Sequence, residues 1–223
     1  KEVNALTKTD DSILEACRQE LVALQQGNEE TLAVWKKTVD VSLSGLRNIY
    51  DQLGVTFDHF LGESFYNNDL GPLVEDLLEK GIARESDGAI CIFSDGSLKP
   101  EEDPFQIQKD GEWKDIPSMI RKADCGFNYT TTDLATINYR VHEWNADSIW
   151  YVVGAPQQLH FRQLFAAAAR SGHPELDLRH ISFGSILGID RKPFKTRSGE
   201  NVGRVEVLTE SLERTRAFLD QRE

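Results

Sequence analysis

The chain is 223 residues long, enough for one large domain or two small ones, and its 39% hydrophobic content suits a globular fold with a true core. A formal net charge of -12 argues against a protein that binds nucleic acid through its whole surface, because phosphate neutralisation needs clustered Lys and Arg, and leaves open binding through a local patch. No apolar run approaches the roughly 20 residues of a membrane span, and Lys1 to Asp11 is too polar for a signal peptide, so a cytoplasmic chain without membrane contact is expected.

Ser12 to Gln26 places Ile13, Leu14, Cys17, Leu21 and Leu24 at helical spacing, with Ser12 as cap and Gly27 as stop. A second amphipathic helix is predicted over Glu29 to Leu53, ending at Gly54; the two should pack on each other and on a sheet. Val55 to Asp58 alternates like a short strand, and GESFYNND then leads into a helix from about Leu73 to Lys80. Glu63 in that turn suits either a cap or a ligand for a cation. Ile82 to Arg84 and Ala89 to Phe93, separated by Asp87 and Gly88, form a predicted hairpin. Ile82 to Asp115 as a whole is expected to be a small, partly mobile insertion outside the main core.

From Ile116 the pattern alternates. Phe127 to Thr131 is strand-like, Asp133 to Trp144 helical, Ser148 to Val153 a buried strand, Gln157 to Ser171 a helix, Arg179 to Leu187 a strand and Arg204 to Leu219 a helix. This order predicts an α/β fold with a parallel sheet and right-handed crossovers. Cys17, Cys91 and Cys125 lack CxxC spacing and are expected to be free, half-buried thiols. The five histidines form no paired ligand spacing, so no protein-bound metal is expected.

In open parallel sheets ligands bind outside the carboxyl ends of the strands. Tyr129, Thr132 and Asp133 are placed there by the first predicted strand, Gln157 and His160 by the second. The third is followed by IDRKPFKTRSGENVG (Ile189 to Gly203), in which Arg191, Lys192, Lys195 and Arg197 reverse the charge of an acidic chain. Asp133 suits a guanidinium or ammonium, Tyr129 offers a ring face and a hydroxyl, and Gln157 is a neutral donor and acceptor. The basic loop suits phosphate oxygens. Each has a plainer reading: Asp133 and Thr132 as helix caps, Tyr129 as core, Gln157 as a surface residue, His160 as a satisfied half-buried histidine, and the loop as a solvated turn.

The strings CGFNYTTTDLATINYR (Cys125 to Arg140), YVVGAPQQLHFRQLFAAA (Tyr151 to Ala168), FGSILGIDRKPFKTRSG (Phe183 to Gly199) and LGVTFDHFLGESFY (Leu53 to Tyr66) resemble arginyl-tRNA synthetases of the bacterial type. The resemblance runs from about Leu24 to Leu219. It implies a class I aminoacyl-tRNA synthetase, a cytoplasmic and monomeric ligase of protein biosynthesis, which joins arginine to ATP as an adenylate and passes it to tRNA(Arg). Tyr129, Asp133, Gln157 and Glu63 would hold arginine, while His160, Lys195, Thr196 and Arg197 would bind ATP with its accompanying Mg2+. The FKTRSG segment occupies the place of the KMSKS loop, and Lys192, Lys195 and Arg197 would share the catalytic phosphate role.

The HIGH signature of the class does not occur in the 223 residues. What is present resembles the carboxyl-terminal half of a Rossmann-like catalytic domain. Three parts are expected: 1–54 helical, 55–115 with the GESFY turn and the hairpin insertion, and 116–223 as the parallel αβ portion carrying the KMSKS-like loop. Such a chain is expected to be inactive alone. The rival readings are a non-catalytic synthetase-like module that binds arginine, ATP or a partner, and an unrelated nucleotide-dependent enzyme. The lack of G-x-x-x-x-G-K and G-x-G-x-x-G strings speaks against the latter.

Overall fold

The computed structural model describes residues 2–25, 27–184 and 204–220. The chain divides into two compact units, Lys1–His59 with Leu187–Glu223, and Phe60–Ile186. The first unit is helical over its described residues: α1 (Glu2–Leu6), α2 (Asp11–Gln25), α3 (Glu29–Leu53) and, late in the chain, α7 (Arg204–Asp220). Asp10, not Ser12, caps α2, its carboxylate accepting from the Ser12 amide at 2.9 Å and the Ser12 hydroxyl at 2.6 Å. Asn28 caps α3, and Gly54 ends it in the left-handed region at φ 65, which a residue without Cβ adopts at little cost. The expected packing of the α3 apolar stripe on a sheet is not found, since no residue of α3 is buried.

The second unit contains α4 (Asn67–Glu79), β1 (Ala83–Ser86), β2 (Ala89–Ile92), β3 (Gln106–Lys109), β4 (Glu112–Asp115), β5 (Ser118–Arg121), α5 (Tyr129–Trp144), β6 (Ser148–Gly154), α6 (Gln158–Ser171) and β7 (Asp177–Phe183). Val55 to Asp58 is not a strand. Glu63 opens a short 3-10 turn, Glu63–Tyr66, which leads into α4 six residues earlier than Leu73. The hairpin of β1 and β2 forms as predicted, with Asp87 and Gly88 at φ 52 and 77.

That hairpin is not outside the core. β2 is buried along its length and pairs with β5, so the order of this antiparallel sheet is β1-β2-β5. Ile82, Ile90, Ile92 and Phe105 join Leu77, Ile120, Leu134, Ile137 and Leu164 in one apolar cluster beneath α4, α5 and α6. Only β3 and β4 remain largely exposed as a separate two-stranded ladder.

Phe127 to Thr131 is also not a strand: Phe127 makes an isolated bridge to Arg121, and α5 begins at Tyr129. Threonine-rich YTTTD reads as β by propensity, yet the Asn128 cap sets it in a first helical turn. The parallel sheet is therefore the pair β6–β7, in register from Ser148 with Asp177 to Gly154 with Phe183. One face packs Ile149, Tyr151 and Val153 toward the core; Trp150, Val152, Ile181 and Phe183 on the other are exposed, so β6 is not the fully buried strand expected. Cys91 is buried, while Cys17 and Cys125 are exposed rather than half-buried, and all three are free.

Candidate functional site

Asn128 organises the site. Its side-chain oxygen accepts from the Thr130 amide at 3.1 Å and its nitrogen donates to the Met119 carbonyl at 2.8 Å. The Thr131 hydroxyl donates to the Ile120 carbonyl. These bonds fix the start of α5 against β5, and they place the cap at Asn128 rather than at Thr132 or Asp133, which lie inside the helix. Tyr129 and Asp133 are four residues apart, one turn of one helical face.

At the carboxyl end of β6 the chain turns through a short 3-10 segment, Ala155–Gln157, into α6. Gln157 and His160 thereby reach the same place. A cleft of about 830 Å3 is lined by Glu63, Tyr129, Asp133, Gln157 and His160, together with Tyr151. All five sequence-assigned residues that the structure describes thus face one cavity. Lys192, Lys195, Thr196 and Arg197 lie outside the described residues.

Within the cleft His160 Nε2 meets Asp133 Oδ2 at 2.7 Å, with the side chains 9% and 32% exposed. A carboxylate only accepts when ionised, so the proton of this bond sits on Nε2. The Tyr129 ring meets His160 edge-on at 4.7 Å, and Phe161 does so at 5.1 Å. His160 is thus a satisfied histidine, and its partner is the carboxylate assigned to the cationic ligand.

Tyr151 is a residue that the sequence reading did not single out. Its hydroxyl and Arg140 Nε are buried side-chain polar atoms that, among the described residues, have no hydrogen-bond partner. Burial holds the Tyr151 phenol well above its ordinary value; the Arg140 guanidinium opposes this, and Asp133 and Tyr66 add to it. In SIWYVVG nothing distinguishes this tyrosine from its apolar neighbours. The Asn128 cap was not read either, because the predicted strand ran through it and the helix was expected to start at Asp133 rather than at Tyr129.

Gln163 is buried on α6 and donates to the carbonyls of Pro104 at 3.0 Å and Ile116 at 2.7 Å. It lines the same cleft. Farther along α6, Arg170 donates to the carbonyl of Phe93 at 2.7 Å and pairs with Asp95 at 3.2 Å. Among the described residues no group of three or more His, Cys, Asp and Glu is placed to hold a metal ion, and no helix is long and apolar enough to cross a membrane.

The family described as tRNA synthetases class I (R), catalytic domain, matches residues 1–223. An arginine–tRNA ligase of Thermobifida fusca is 41% identical over 216 residues, covering 96% of this chain and 36% of the relative. One from Chromobacterium violaceum is 40% identical over 225 residues, covering 98% and 37%. Among solved structures, the arginyl-tRNA synthetase of Plasmodium falciparum superposes with a TM-score of 0.74 at 23% identity, over 99% of this chain and 34% of that one. That of Thermus thermophilus gives 0.69 at 17%, over 97% and 39%. At such identities these two likenesses show the fold. The chain spans about 36% of the Thermobifida relative's length. With the α/β fold, the cleft and the match along its whole length together, the chain belongs to the catalytic-domain family of the class I tRNA synthetases of the arginine type.

Proposed function

We propose that this chain is part of an arginine–tRNA ligase, which activates arginine with ATP and transfers it to tRNA(Arg). The observation that carries the reading is the meeting of Glu63, Tyr129, Asp133, Gln157 and His160 in one cleft, two of them carboxylates. Two acidic groups beside tyrosine rings in a partly desolvated pocket suit a guanidinium, which a carboxylate pairs bidentately and an ammonium does not. Asp133 and Tyr129 hold the guanidino end, Gln157 orients the polar end, and Glu63 supplies the second negative charge. His160, which the resemblance gave to ATP, also touches the amino-acid pocket in this reading, because its Nε2 is bonded to Asp133.

In the reaction the arginine carboxylate attacks the α-phosphorus of ATP and pyrophosphate leaves; a terminal ribose hydroxyl of the tRNA then takes the arginyl group and AMP departs. Negative charge moves onto phosphate oxygens in the first step, and Lys192, Lys195 and Arg197, with Thr196, supply the neutralising groups. The nucleotide enters as its Mg2+ complex. The protein acts as a cytoplasmic monomer, with the three parts 1–54, 55–115 and 116–223 contributing to one catalytic domain.

In an enzyme carrying this segment, Asp133→Ala raises the KM for arginine by at least about tenfold while that for ATP stays within about twofold. Steady-state pyrophosphate exchange measures both, and equal changes in the two constants remove Asp133 from the amino-acid pocket.

A further inference from the structure

The carboxylate that the proposed function gives to the substrate is already engaged by a histidine of the same chain. His160 Nε2 lies 2.7 Å from Asp133 Oδ2. The ring is nearly enclosed, with 9% of its side chain exposed, while Asp133 keeps 32%. Tyr129 and Phe161 grip the imidazole edge-on. One Asp133 oxygen is therefore oriented from behind, and the accessible part of the carboxylate faces the cleft.

From this geometry we infer that His160 is a positioning residue: its Nε2 holds one Asp133 oxygen and so aims the carboxylate at a cationic ligand. The inference rests on the reading of the cleft as an arginine pocket. A carboxylate offers about four lone-pair sites, so a neutral imidazole donating from Nε2 leaves room for a guanidinium.

Tyr129 on α5, Tyr151 on β6 and Glu63 in the short turn before α4 line the same cleft. His180 on β7 stacks on Phe161 at 4.5 Å with its Nε2 2.9 Å from the Val153 carbonyl.

The test is calorimetric titration of an enzyme carrying this segment with arginine, with ATP titrated separately. His160→Leu weakens arginine binding at least about tenfold and leaves ATP unchanged. His160→Gln, which restores a neutral donor, recovers most of that affinity. Any of three results overturns the inference: His160→Leu binding arginine as the wild type does, His160→Gln binding it as weakly as His160→Leu, or a loss confined to ATP. Circular dichroism separates loss of fold from loss of affinity, and if His160→Leu does not fold, His160→Ala takes its place in the comparison with His160→Gln. If Asp133→Asn binds arginine like the wild type, or the wild type binds none, the pocket reading itself fails and takes this inference with it. If Asp133→Asn abolishes binding while the His160 variants behave as wild type, the pocket reading stands and this inference alone falls.

Discussion

Tyr151 presents an uncommon expense in a folded chain, a phenol hydroxyl shut away from water with no partner among the described residues. Leaving a buried polar group unpaired costs about 1–3 kcal/mol, whereas removing it outright can be neutral or stabilising. Tyr151→Phe, which keeps the ring against Phe161 and Phe165, is therefore expected to leave stability unchanged or raise it by about 1 kcal/mol. Urea unfolding measures this, and a drop of that size would mean that the hydroxyl has a partner. Tyr129, Asp133 and Gln157 were singled out by their placement at predicted strand ends, each beside a plainer reading, and Glu63 was given to arginine only by the family resemblance; the cleft brings all four together. Tyr151 was not, because a tyrosine inside an apolar run looks like core whether or not its hydroxyl is bonded.

At the scale of elements, helices were read well and the strand before the site was misread. The apolar spacing of α3 and α6 and the Asp87-Gly88 turn carry their own local signal. Phe127 to Thr131 does not, since Thr and Tyr favour strands and a single cap residue overrode them. That cap can be weighed directly. Asn128→Ala removes the bond to the Thr130 amide and the one to the Met119 carbonyl, and should cost about 1–2 kcal/mol, the upper part of the range for such caps. Chemical unfolding at constant m checks the number. An unchanged midpoint would mean that β5 does not hold the start of α5. The hairpin β1–β2 failed in another way: its turn was recognised, but short polar-flanked strands give no hint that β2 will be the middle of a sheet.

For the whole molecule, the buried apolar side chains run from Tyr66 to Ala168, all within Phe60–Ile186, and the described residues of the other unit contain none. Helices depend on tertiary packing for most of their stability. Amides of α2 and α3 are thus expected to exchange with deuterium on the order of a hundredfold faster than those of β2 and the first half of α5. Mass-resolved exchange decides it, and equal protection in both units would show that the helical unit carries a core of its own.

The grip of α6 on its neighbours reaches beyond stability. The same helix that carries His160 in its first turn uses Gln163 to hold Pro104 and Ile116, the two feet of the β3–β4 ladder, and Arg170 to hold the segment after β2. A surface projection is thus rooted in the wall of the cleft, so that a deletion reaching Pro104 or Ile116 disturbs Gln163 and the cleft lining, while a change at the tip of the ladder leaves both in place.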